Sequence, residues 1–140
     1  MSKDSLLNIY KRVLRPSAEY SNIIYHSLIP DYVSDQLESV QKQAIKIIFG
    51  HDAKYDEMVE NGIIETLKSR RADAVLKFAL KASTSERFGS CWFREAAIND
   101  REVRPSTRRP YIEKFCRTER SRNNPLAFMT RVLNEHLCTN

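Results

Sequence analysis

A chain of 140 residues is one domain's length, enough for a modest core. With 41% hydrophobic and 29% charged residues it has the balance of an ordinary globular chain, and no apolar run approaches membrane-spanning length. The net charge of +5 is concentrated rather than spread. Residues 1–100 hold fourteen basic and fourteen acidic side chains, whereas residues 101–122 hold eight basic against three acidic. The expectation is a neutral body carrying one basic strip.

Only three glycines are present and few apolar runs alternate with period two, which argues against a sheet. Cys91, Cys116 and Cys138 are odd in number, widely spaced and free of any CxxC pattern, as in a reduced intracellular protein. The charged amino end, with Lys11 and Arg12 interrupting the following apolar segment, makes a secretory signal unexpected.

Leu6, Leu7, Tyr10, Val13 and Leu14 recur at helical spacing and predict a first amphipathic helix over 6–14, with Ser2 or Asp4 as cap. Pro16 ends or kinks it and suits the first position of a second helix over 16–28, with Glu19 in its first turn and Tyr20, Ile23, Ile24 and Leu28 on one face. Residues 31–33 read as a connection into the central helix, 35–49. There Asp35 and Glu38 have capping-box spacing, Leu37, Val40, Ala44, Ile47 and Ile48 form the apolar face, and Gly50 closes the end. Ile47 is thereby expected in the core.

Two polar residues of this helix, Gln41 near the middle of that face and Glu38 at its edge, admit two readings. One is helix-end electrostatics with a half-exposed amide; the other is hydrogen bonding to a neighbouring helix that fixes its register. A short helix over 55–61 ends at Gly62. Thr66 then caps a longer one from Leu67 to about Ser83, with Leu67, Ala74, Val75, Phe78 and Ala82 on its apolar face. Arg71 projects near the centre of that face, and Arg70 toward the polar side. An arginine so placed must snorkel or find a carboxylate, Glu38 in first place and Glu19 in second, or else contact nucleic acid.

Beyond Ser83 the character changes. Phe88, Trp92 and Phe93 cluster near Gly89, and the segment up to Asn124 contains Pro105 and Pro110 with little periodicity, so it reads as loop with one helical turn near 111–116. Pro125 begins a last helix bearing Leu126, Met129, Val132, Leu133 and Leu137. The whole is an all-α chain. A helical domain over 1–87 is followed by an aromatic and basic tail over 88–140 that ends in a helix.

No Gly-rich phosphate loop, no histidines at metal-binding spacing and no nucleophile constellation occur, so neither catalysis nor a cofactor is expected. The remaining functional signal is the basic strip, in which Arg101, Arg104, Arg108, Arg109, Arg117, Arg120 and Arg122 far outnumber lysine. Arginine suits bidentate phosphate contact, and Tyr111, Phe115 and Trp92 offer rings on which bases can stack. The competing reading is a solvated loop whose arginines pair with acidic residues of the helical part.

Leu6-Leu7, Tyr10, Arg15-Pro16, Glu19-Tyr20, Leu37-Glu38, Gln41-Lys42, Ala44, Ile47-Ile48, Leu67 and Arg70-Arg71 follow one another in an order that resembles the region after the catalytic palm in reverse transcriptases of jockey-like non-LTR retrotransposons. Arg117-Thr118-Glu119-Arg120, Asn123, Pro125 and Leu133-Asn134 are similar to the tail of many of those reading frames. Tyr25-His26 stands where the family often has tryptophan, and Lys46 where it usually has arginine. The resemblance implies a thumb-like, non-catalytic segment that grips an RNA–DNA or DNA duplex without regard to sequence. It also implies an upstream palm domain as a partner and an intracellular setting, the nucleus included. The alternative is a helical protein-interaction module, or a domesticated or decayed remnant, with no nucleic-acid role.

Overall fold

Ser2 accepts a hydrogen bond from the Ser5 amide at 3.2 Å and starts helix α1, Lys3–Ile9. The computed structural model describes residues 2–51, 54–95 and 109–139; the strip positions Arg101, Arg104 and Arg108 lie outside them. From α1 the chain continues through a π-helical turn, Tyr10–Leu14, into α2, Arg15–Glu19. Pro16 stands in the first turn of α2, directly after the π-helical turn that distorts the preceding helix. It lacks an amide proton and its ring crowds the carbonyl four residues back; widening the preceding turn accommodates both.

The expected helix over 16–28 is broken. Tyr20 is extended and Ser21 has φ of 56°, which separates α2 from the short α3, Asn22–Tyr25. Tyr20, Ile24 and Leu28 are exposed rather than sharing an inner face, and Glu19 ends α2 instead of opening a helix. Val13 and Leu14 are likewise exposed.

Helix α4, Asp31–Phe49, starts four residues earlier than its caps suggest, behind Pro30, so the Asp35–Glu38 capping box does not form. Gly50, with φ of 102°, closes it. Its buried residues are Ser34, Gln41, Ile45 and Ile48. Ile47 is 79% exposed and Val40 also faces solvent. Gln41 and Ile48 lie on the inner face as expected, but that face is rotated toward Ser34 and Ile45 and away from Val40 and Ile47.

Helix α5, Tyr55–Glu60, and α6, Leu67–Ser83, follow, the latter capped by Thr66 Oγ1 through the Ser69 amide at 3.2 Å. The inward stripe of α6 runs Leu67, Arg71, Val75, Ala79, Ala82, with Ala74 and Phe78 half-buried. Then come α7, Gly89–Trp92, α8, Glu119–Arg122, and α9, Pro125–Thr139. The helical turn expected near 111–116 is absent, and the turn forms at α8 instead. Among the described residues no strand occurs, and Glu95 and Tyr111 form an isolated antiparallel bridge. The fold is all-α.

The chain divides into two contact-dense units, the first from Met1–Asn22 and Ile29–Ala72, the second from Ile23–Leu28 and Asp73–Asn140. This division falls within α6. In the first unit Tyr10, Ile45, Ile48, Tyr55 and Ile64 form the core, flanked by Leu6, Leu7 and Met58. In the second, Val75, Ala79, Ala82, Phe93, Met129 and Leu133 form a core lined by Phe78, Trp92, Tyr111 and Phe128. Gly89 lies against the end of α6 so closely that a Cβ there would meet the Ser83 carbonyl oxygen at 2.5 Å. Only glycine permits that approach.

Candidate functional site

The polar residues of the first unit form a buried network centred on Gln41. Its Oε1 accepts from the Tyr10 hydroxyl at 2.5 Å, while its Nε2 donates to the Tyr55 hydroxyl at 2.7 Å and to the Glu65 carbonyl at 2.9 Å. Tyr55 donates in turn to Glu38, whose second oxygen accepts the Leu67 amide at 3.1 Å, at the amino end of α6. One carboxylate thus joins α4 to the donor-rich end of α6. Tyr55, which sequence periodicity marks merely as the start of a short helix, proves to be a hub.

Glu19 pairs with Arg70, not Arg71, through Nε at 2.5 Å and Nη2 at 3.2 Å, and Arg70 also reaches Glu65 at 2.8 Å. Arg71, 1% exposed, donates from Nη2 to Ser34 Oγ at 2.5 Å, and neither Glu38 nor Glu19 is its partner. Its Nε and Nη1 have no hydrogen-bond partner among the described residues. Glu38 directs its two oxygens to the Tyr55 hydroxyl and the Leu67 amide instead. So buried a guanidinium does not touch a phosphate in this conformation either.

The network has a pH signature. Burial is the main reason the Tyr10 phenol is pushed up to about 12 from its ordinary 10.0, and burial followed by the hydrogen bond to Glu38 raises Tyr55 as well. The folded state then holds protons that the unfolded chain releases above pH 10.0, so this stabilisation is complete below pH 10.0 and is lost as pH rises toward about 12. Urea unfolding across that range is expected to show falling stability, and Tyr10→Phe to make the fall shallower. An identical slope in the variant would dissociate Tyr10 from it.

In the second unit Asn134, buried on α9, holds the irregular segment before α8. Its Oδ1 accepts the Tyr111 amide and its Nδ2 donates to the Tyr111 carbonyl, both at 3.0 Å, with Glu113 Oε1 a further acceptor at 3.2 Å. The side-chain amide imitates a neighbouring strand. An asparagine beside Leu133 on the inward stripe of α9 was the available signal, though periodicity treats it as polar surface.

Of the strip arginines in the described residues, Arg109 pairs with Glu113 at 2.7 Å. Arg117, Arg120 and Arg122 are exposed, the last two on α8, which Thr118 caps through the Ser121 amide at 3.2 Å. They form no ion pair with a carboxylate among the described residues. Arg122 is brought together with Lys114, Phe115 and Arg131 along a groove of about 330 Å³.

The three expected stacking rings part company. Trp92 packs on Phe88 at 4.8 Å and Phe78 at 6.3 Å between ring centroids, and Tyr111 on Phe93 at 5.7 Å, so both serve the core. Phe115 alone of the three stands free, 90% exposed. Among the described residues no group of three His, Cys, Asp or Glu side chains is placed to hold a metal ion, and no helix is long and apolar enough to cross a membrane. Comparison with protein-family models, with curated proteins and with solved structures finds no match for this chain.

Proposed function

We propose that this chain is a non-catalytic nucleic-acid-binding segment, thumb-like in the sense of the non-LTR reverse transcriptases it resembles, acting beside a palm domain. The observation that carries this reading is the exposed cationic surface of the second unit. Arg117, Arg120 and Arg122 stand clear of carboxylates, with Lys114 and Arg131 at the adjoining groove. Cations held apart from acids neutralise phosphates and release counter-ions, and they do so without reading sequence. Arg109, being paired, contributes less than its place in the strip suggests.

Replacing Arg117 and Arg120 by glutamine is expected to weaken binding to every duplex sequence alike and to flatten the plot of log affinity against log salt by up to about two units. Fluorescence anisotropy over a salt series measures both. An unchanged slope would assign these arginines to solvated surface. The competing reading, a protein-interaction module, has an observation of its own: Tyr32, Val40 and Ile47 of α4 are exposed apolar side chains. A tight partner whose binding ignores salt would favour it.

A further inference from the structure

A phenylalanine ring kept almost wholly in water forgoes the burial that usually accompanies so large an apolar side chain. Phe115 is in that position on a turn that is itself held. The single proton of the Cys116 thiol has two acceptors in reach, the Lys114 carbonyl at 3.3 Å and the Ser121 carbonyl at 3.5 Å, the latter on α8. Asn134 anchors the same segment upstream.

The ring borders the groove that Lys114, Arg122 and Arg131 line, and a second concavity of about 440 Å³ shares Lys114, Cys116 and Ala127 with it and adds Arg94. Glu113, the acid of the first groove, is already engaged by Arg109 at 2.7 Å and by Asn134 at 3.2 Å, so it leaves the cations unneutralised. The Arg131 guanidinium lies 5.4 Å over the Phe128 ring, which fixes its direction without occupying its donors.

We infer that this groove takes a single-stranded stretch of nucleic acid, with one unpaired base stacked on Phe115 and the neighbouring phosphates on Lys114, Arg122 and Arg131. The inference rests on the nucleic-acid reading above and narrows it. A duplex hides its base faces within the stack, so a protruding ring meets only its terminal pair; an unpaired base presents its face freely. Cations along both concavities supply a path for the backbone on either side of that base. Stacking on a ring face and pairing with phosphates do not distinguish one base from another, so these contacts tolerate any sequence.

The test uses the full chain and labelled oligothymidylate, oligouridylate and a blunt DNA duplex, each about twelve nucleotides long, which falls within the usual span of single-strand sites. Phe115→Ala is expected to weaken both single strands by about tenfold to a hundredfold while changing the blunt duplex by less than about twofold, and Phe115→Tyr to restore them. Arg122→Gln is expected to weaken all three probes. An unchanged thermal midpoint in Phe115→Ala shows that the fold persists, as the exposure of the ring requires. Equal single-strand affinities in wild type and Phe115→Ala, with the duplex still bound, would overturn the groove assignment and leave general phosphate binding standing. Failure of the wild-type chain to bind any of the probes would overturn both.

Discussion

Ile45→Ala is expected to destabilise the first unit by about 2–5 kcal/mol, while Ile47→Ala, two residues along, is expected to cost less than about 0.5 kcal/mol. Ile45 is 0% exposed and sits among Tyr10, Ile48, Tyr55 and Ile64. Its truncation removes both transfer energy and the contacts of a close-packed site, leaving a cavity. Ile47 has its side chain in water, so alanine there loses little beyond a β-branched rotamer restraint, and a better helix former replaces it. Urea unfolding of the two variants compares them directly. The reverse ranking would mean that α4 presents a face turned by about 200° from the one described, which is two residues at a hundred degrees each.

Arg71→Met is expected to stabilise the chain by about 1–4 kcal/mol, an unusual sign for a buried substitution. The guanidinium is enclosed with one hydrogen bond, to Ser34, and two nitrogens that find no acceptor among the described residues. Burying such a group costs several kcal/mol that a single neutral hydrogen bond does not return. Methionine fills much of the same volume and has no donor to satisfy. The Ser34 hydroxyl then loses its partner, so Arg71→Met combined with Ser34→Ala is expected to exceed the single variant by about 1 kcal/mol. Thermal and urea unfolding of both variants check this. A loss of stability greater than about 1 kcal/mol in Arg71→Met would show instead that bound water or an anion satisfies the guanidinium.

The contrast between these two residues shows where the chain's pattern speaks for itself. Leu67, Val75 and Ala82 lie on the inward side of α6, Thr66 caps it, and Pro125 opens α9. Each follows from forces that act within one or two turns: capping of free amides, the 3.6-residue period, and the fixed φ of proline. The all-α class was legible for the same reason, as was the existence of α5 before Gly62. The position of Arg71 on a buried face was also legible, because wheel position is a local property.

Its partner was not. Glu38 and Glu19 are the nearest acids by helical-wheel reasoning, yet Tyr55 and the Leu67 amide claim the first and Arg70 claims the second. Competition among side chains up to 51 residues apart in the chain decided that, and no local rule ranks such competitors. The inner face of α4 was legible only in part: Gln41 and Ile48 lie on it as the wheel places them, but Ser34, which meets Arg71, and Ile45 take the places expected for Val40 and Ile47. The break at Tyr20 and Ser21 carries no glycine or proline to announce it.

In the candidate interface the sequence by itself determined the ingredients: an arginine-rich strip with aromatic residues interleaved. The tertiary structure decided their use. It committed Trp92 and Tyr111 to the core of the second unit, paired Arg109 with Glu113, and left Phe115 with Arg122 and Lys114 at the surface. The physical reason is that a ring's value as a stacking surface depends on its exposure. Exposure is set by what the rest of the chain packs against it, so one-dimensional spacing records that a ring is present and not which way it faces.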